Sequence, residues 1–227
     1  MFHGARIDVD QTDLGDYLRK VQQTSPFAPD IVLHLTGSGE HFTTPLHIKG
    51  SNVLLYFDPP PEKSEPLVLV PTGRGSVEAL FDVEQGNLSI VNGNFRFSGA
   101  RPSRVVPWLI KLRGGDLRLF RTRLEVPPKD SGDAFRGLIA LDGSGDTAAE
   151  RVRSLIANES ILISARQGIA VQGIGARVQL MQTLLIAGGE AIRLTLDPGF
   201  RGKANVQCLF DRATVAARSA VLHLSDV

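Results

Sequence analysis

The chain has 227 residues, and its 25 Lys and Arg nearly balance its 24 Asp and Glu, which leaves a formal net charge of +1. This balance gives no global reason to expect nucleic acid as a partner. The sequence has no run of 18 or more apolar residues, so we expect no membrane insertion, and its single cysteine excludes an internal disulfide.

The N-terminal segment predicts a short strand at residues 6–9 and one amphipathic helix at residues 12–24, with Thr12 or Asp13 as a candidate N-cap. A solenoid must cover the open apolar end of its core, and we expect this helix to be that cap. Four apolar residues share one helix face at the spacing i, i+3, i+4 and i+7: Leu14, Tyr17, Leu18 and Val21.

A repeat organises the rest of the chain. The apolar pattern of residues 155–171 returns without a gap at residues 178–194. Each copy holds about three short runs of Ile, Val and Leu, separated by Gly, Asn, Ser or Gln, and no run is long enough for a helix. The repeat therefore predicts short strands joined by tight turns and stacked as a solenoid.

Strands with this pattern align along the whole chain, and each has two residues that we expect to face the core. Stacked strands lie about 4.8 Å apart, so about seven rungs make a column roughly 30 Å long. Proline-containing segments at residues 58–66, 127–132 and 197–203 are expected to be loops within single turns, because the repeat resumes after each. The inward pairs are Leu46/Ile48, Phe81/Val83, Ile110/Leu112, Ile139/Leu141, Ile169/Val171, Ile192/Leu194 and Leu222/Leu224.

Residues 81–95 combine a strand, a short break, a second strand, an Asn-containing tight turn and a third strand. This pattern resembles a rung of the pectin-lyase-like superfamily. The resemblance implies an all-β fold, a right-handed parallel β-helix built as a single-stranded solenoid of about seven rungs with an N-terminal capping helix. It also implies an extracellular or cell-envelope location, although the N-terminus lacks the apolar core of a signal peptide. A leucine-rich repeat is the alternative solenoid, but its Leu-x-x-Leu-x-Leu-x-x-Asn pattern is absent.

Side chains next to the inward pairs face outward, because side chains alternate along a strand. Their charges alternate in sign on several successive rungs. One interpretation is pairing between stacked strands, worth roughly 0.2–1 kcal/mol per pair; the other is a ligand-binding face. The two outward ladders are His47, Asp82, Lys111, Ala140, Ala170, Arg193, His223 and Lys49, Glu84, Arg113, Asp142, Gln172, Thr195, Ser225.

The candidate ligand-binding face is expected to lie between two loops, at residues 98–107 and 127–136, that wall a groove. Glu84 and Asp142 lie two rungs apart, about 9.6 Å, at the upper edge of the carboxylate separation in inverting glycosidases. Arg113 between them would lower the pKa of both carboxyl groups, which opposes the role of a general acid. The candidate substrate-binding residues are Asp82, Glu84, Lys111, Arg113 and Asp142.

A lyase would instead use Lys111 or Arg113 as the base, with Ca²⁺ held by carboxylates. Asp82 and Glu84 resemble the acidic pair of the superfamily's enzymes and are the candidate Ca²⁺ ligands. However, the Arg-x-Pro-x-x-Arg segment of pectate lyases and the Asn-Thr-Asp, Asp-Asp and Gly-His-Gly strings of polygalacturonases are missing. The five histidines show no metal-binding spacing, so we expect no metal or cofactor outside the lyase alternative.

We therefore expect a non-catalytic binding or structural module whose partner is a polysaccharide or a protein. The alternative is a polysaccharide lyase or glycoside hydrolase that acts on an acidic polysaccharide through the candidate face. Residues 1–227 are expected to be one β-helix domain, with the strand and cap helix in 1–30 and the rungs in 31–227. Because a strand-like segment directly precedes the end, we expect the chain to be a piece of a larger protein with other domains.

Overall fold

The computed structural model of the chain describes residues 2–24, 30–58, 65, 67–71, 75–96, 104–105, 107–126, 135–143, 153–173, 175–196 and 206–226. Two of the expected loops, at residues 127–132 and 197–203, lie outside these residues, as does most of the segment 58–66.

The described residues form one helix, α1 (Leu14–Thr24), and 24 strands numbered in chain order. Sheet A contains, in spatial order, β1 (Phe2–Asp8), β2 (Asp30–Thr36), β5 (Asn52–Phe57), β9 (Asn87–Val91), β13 (Asp116–Phe120), β16 (Arg153–Asn158), β19 (Ala176–Met181) and β22 (Val206–Asp211). Sheet B contains β3 (Gly39–Thr43), β6 (Leu67–Pro71), β10 (Asn94–Arg96), β14 (Arg123–Val126), β17 (Ile161–Ser164), β20 (Leu184–Ala187) and β23 (Thr214–Ala217). Sheet C contains β4 (Leu46–Lys49), β8 (Ala79–Glu84), β12 (Trp108–Arg113), β15 (Gly137–Asp142), β18 (Gln167–Gln172), β21 (Glu190–Leu196) and β24 (Ala220–Asp226). A small fourth sheet pairs β7 (Gly75–Ser76) with β11 (Arg104–Val105).

Successive strands of the chain enter sheets A, B and C in turn, and neighbouring strands within each sheet are parallel. One circuit of the three sheets is therefore one rung of a coil, and the next rung stacks on it. This arrangement confirms the predicted all-β parallel β-helix with about seven rungs, since sheets B and C each have seven strands. The right-handed sense of the coil stays a prediction.

The register of sheet C confirms the predicted inward pairs. Leu46 lies opposite Phe81, and the same column of pairs continues through Ile110 to Leu222 on β24. The inward residues of the first six strands are at most 8% exposed. On β24, Leu222 and Leu224 are 52% and 66% exposed, because no described strand covers that side of the last rung.

An aromatic cluster fills the core of one rung and its neighbour. Phe57, Phe95 and Phe81 come from sheets A, B and C, and the Phe95 ring meets each of the other two edge to face, with ring centroids 5.2 Å apart. Phe81 and Phe95 are completely buried. One ring from each sheet therefore meets at the centre of the coil.

Helix α1 covers the N-terminal end of this core, as predicted. Its buried residues Leu14 and Leu18 join the same apolar cluster as the rungs. The helix begins at Leu14 rather than at residue 12, and Asp13 is the N-cap, since its Oδ1 accepts a hydrogen bond of 2.9 Å from the backbone N–H of Asp16.

The preceding strand runs from Phe2 to Asp8, so the prediction of residues 6–9 was too short. Among the described residues, no helix is long and apolar enough to cross a membrane.

The corner between sheets A and B repeats one unusual backbone conformation. A non-glycine residue with positive φ, between 46° and 56°, occupies the same place in five successive rungs, and the N–H groups of the first four donate to the neighbouring rung. Four of the five are residue types for which this conformation is costly. The column consists of Asn92, Arg121, Glu159, Gln182 and Arg212.

Candidate functional site

The outer surface of sheet C carries the two predicted ladders. His47, Asp82 and Lys111 lie opposite one another on neighbouring strands, and so do Glu84 and Arg113. Their position follows from the strand alternation, because the residues between them belong to the buried inward pairs. The predicted candidate residues therefore share one face.

Lys111 is held between two carboxylates. Its ammonium group lies 2.9 Å from Asp142 Oδ2 on β15 and also contacts the carboxylate of Glu78, just before β8. The Lys111 side chain is only 14% exposed. Glu78 was missed by the sequence analysis, because it precedes the strand and does not belong to either ladder.

Arg113 pairs differently from the expectation. It was expected to lie between Glu84 and Asp142, but its Nη2 donates to Asp82 Oδ2 at 2.6 Å, and its Nη1 lies 3.8 Å from Glu78. Long side chains reach diagonal neighbours on a sheet, and Arg113 takes a diagonal partner.

Glu84 and Asp142 therefore have other cations as partners. Glu84 is paired with Lys49 at 3.4 Å, while Asp142 is paired with Lys111. The expected objection to the hydrolase alternative, a single Arg113 between the two carboxylates, therefore does not match these contacts, and Lys49 and Lys111 are the cations beside them instead.

Asp82 is the most buried charge of this face, with a side chain that is 8% exposed. Its Oδ2 accepts the hydrogen bond from Arg113 and lies 3.3 Å from His47 Nδ1. Its Oδ1 is buried without a hydrogen-bond partner among the described residues. Asp82 therefore depends on Arg113 to compensate its charge, because an uncompensated buried carboxylate is costly.

These contacts shift two pKa values in opposite directions. Burial alone would lower the pKa of Lys111, but the hydrogen bonds and charges of Glu78 and Asp142 outweigh it, so the pKa of Lys111 is raised. The hydrogen bond and the charge of Lys111 lower the pKa of Glu78. Both groups are thereby held in their charged forms at neutral pH.

The two candidate Ca²⁺ ligands both lie next to basic side chains. Asp82 is bonded to Arg113, and Glu84 is paired with Lys49, so each carboxylate already faces a cation. Ca²⁺ takes six to eight oxygen ligands. No cluster of three or more His, Cys, Asp or Glu side chains suited to a metal ion occurs in the described part of the chain.

A second polar cluster lies at the far end of the same face, separated from the first by Ala140 and Ala170 in the ladder. It is centred on Glu190, whose carboxylate contacts His223 Nδ1 and accepts a hydrogen bond of 3.0 Å from Gln167. Arg193 and His223 were on a predicted ladder, but Glu190 was not. No sequence signal pointed to it, since it is the first residue of its strand.

The two loops expected to wall a groove, at residues 98–107 and 127–136, lie mostly outside the described residues, so the groove stays a prediction.

Comparison of the chain with protein-family models, with curated proteins and with solved structures gave no match. The order and direction of the strands alone define the class of the protein, which is a parallel β-helix with an N-terminal helix.

Proposed function

We propose that the chain is a non-catalytic β-helix module of the pectin-lyase-like kind, with a structural and binding role in a larger modular protein. The observation that carries this proposal is the pairing of Lys111, the candidate base, with both Glu78 and Asp142.

A lyase base must give up its proton before it removes one from the substrate. Lysines that act as bases have lowered pKa values, usually through burial or a neighbouring cation. The pKa of Lys111 is raised instead, because two carboxylates stabilise its ammonium form. This supports a role for Lys111 in holding β8, β12 and β15 together rather than in proton abstraction.

Arg113 supports the same interpretation. Its guanidinium is bonded to Asp82, and removing it from that carboxylate to bind a substrate would leave Asp82 buried with His47 as its remaining partner. Losing the Arg113–Asp82 hydrogen bond in this way is unfavourable, which argues against a reaction in which Arg113 must leave Asp82 to contact the substrate. The paired charges instead give successive rungs a defined register.

A rigid, regular sheet suits the binding of an extended partner, because identical spacing between rungs offers repeated contacts along the coil. A polysaccharide or a protein is the class of partner that we propose for this surface. An extracellular or cell-envelope location is part of the same proposal and rests on the resemblance to the superfamily.

The proposal is tested by incubating the protein with a panel of acidic polysaccharides, with and without Ca²⁺, and measuring unsaturated and reducing sugars. We expect no release above that of a buffer control. Release that disappears in the Lys111→Ala or Arg113→Ala variant, with the fold intact by circular dichroism, would establish a lyase or hydrolase instead.

A further inference from the structure

A notch of about 290 Å³ opens at the corner where the chain passes from sheet B to sheet C. It spans three stacked turns, at residues 165–166, 188–189 and 218–219. The middle turn is Gly188-Gly189, which has no side chains, whereas the preceding turn carries Arg166 and the following one Ser219. The notch therefore exists because the middle turn has no side chains to fill it.

The two glycines differ in what they require. A Cβ at Gly188 would lie 2.1 Å from the carbonyl oxygen of Ala165, so close packing of the turns excludes a side chain there. At Gly189 the nearest atom to a Cβ is the carbonyl oxygen of Arg166 at 3.3 Å, and φ is not positive. A methyl group at residue 189 thus needs only a small shift of its neighbour, and it would narrow the notch.

Arg193 brings positive charge to the notch, and the described residues occupy few of its hydrogen-bond donors. Its Nε donates to Ser225 Oγ at 3.4 Å, and its Nη1 lies 3.9 Å from Glu190 Oε2, which is too long for a hydrogen bond. A guanidinium has five N–H donors in a planar fork. Arg193 therefore differs from Arg113, whose guanidinium makes a 2.6 Å bond to a carboxylate.

Glu190 supplies a fixed acceptor beside this guanidinium. Its side chain is 17% exposed and is held by His223 and by Gln167. Burial disfavours its charged form, but these hydrogen bonds and the charges of His223 and Arg193 outweigh burial and lower the pKa of Glu190. The notch thus presents an ionised carboxylate next to a cation.

We propose that this notch binds a small hydroxylated carboxylate, with the ligand's carboxylate on Arg193 and its hydroxyl groups on Glu190 and Ser219. The fork of a guanidinium matches a carboxylate in two parallel hydrogen bonds. An anion without hydroxyl groups would be repelled by the negative charge of Glu190. A hydroxyl group of the ligand can instead donate a hydrogen bond to that carboxylate. This site lies away from Lys111 and Arg113, so it goes beyond the proposed function and does not depend on it.

The test uses the whole chain and three probes: gluconate, which has both groups, acetate, which has only the carboxylate, and glucose, which has only hydroxyls. Backbone amide resonances are followed by NMR during each titration. We expect gluconate to shift the resonances of residues 188–193 with a Kd on the order of 1 mM, and to bind at least about tenfold more tightly than acetate or glucose.

Arg193→Lys keeps the charge and removes the fork, and we expect it to weaken gluconate binding at least about fivefold. Gly189→Ala narrows the notch, and we expect it to weaken gluconate binding as well. Arg177→Lys, on the outer face of sheet A, is the matched control and should bind like the unchanged chain. The inference is overturned if gluconate shifts no resonance of the notch at roughly 20 mM, or if Arg193→Lys binds gluconate as well as the unchanged chain.

Discussion

Arg113 on β12 donates a hydrogen bond of 2.6 Å to Asp82 on the neighbouring strand β8, and the Asp82 side chain is only 8% exposed. A carboxylate this buried is tolerated when a cation is bonded to it. The pair therefore joins two rungs at a point where a change of either partner affects the stability of the fold.

Arg113→Ala is expected to lower the free energy of unfolding by about 2 kcal/mol, because Asp82 stays buried without its closest cation. Urea denaturation measures this loss. Arg177→Ala, which removes an exposed Arg from sheet A, is the control and should have little effect. Replacing Asp82 by Asn together with Arg113→Ala should recover part of the stability. If Asp82→Asn destabilises the Arg113→Ala variant as much as it destabilises the unchanged chain, the two residues act independently. Their pairing is then not the cause of the loss of stability in Arg113→Ala.

Acidic pH is expected to lower the stability of the last rungs, because Glu190 loses its charge. Its folded-state pKa is lower than the value of about 4.3 in an unfolded chain, so ionised Glu190 stabilises the fold above that pH. This contribution is lost as the pH falls through the lowered pKa. Glu190→Gln lacks it at every pH.

The expected result is that Glu190→Gln is less stable than the unchanged chain at pH 7 and that the difference shrinks at about pH 3. Urea midpoints at the two pH values provide the comparison. A difference that stays constant or grows on acidification would show that Glu190 does not stabilise the fold by its charge.

The register of sheet C was predictable because side chains alternate along a strand, and a shift of one residue would place Ile110 and Leu112 in water. The partner of Arg113 was not predictable, since a long side chain reaches several carboxylates around it. Glu78 was missed for a related reason, because its place depends on the turn before β8.

The column of positive-φ residues at the corner between sheets A and B was also only partly predictable from the sequence. An Asn-containing tight turn was expected within residues 81–95, and the structure forms it at Asn92, a residue type that tolerates positive φ. Arg121 and Gln182 give no such signal. The stacking of their turns on neighbouring rungs imposes the conformation on them, and their own preference does not.

Gln182→Asn should therefore raise the free energy of unfolding by about 0.5 kcal/mol, because Asn adopts a φ of 46° more readily than Gln. The melting temperature reports the gain. Gln172→Asn is the matched control, since this residue lies exposed in β18, where Asn is the poorer strand former. A lower melting temperature for Gln182→Asn would contradict the account of this corner.

The charges on sheet C are paired with one another, and the pKa of Lys111 tests this pairing most directly. Selective ¹³C labelling of lysine and an NMR titration to alkaline pH, with Lys111→Arg to assign the resonance, give that pKa in the folded chain. We predict a value above that of an exposed lysine, because Glu78 and Asp142 stabilise the ammonium form. A pKa below the ordinary value would contradict the claim and would restore Lys111 as a candidate base.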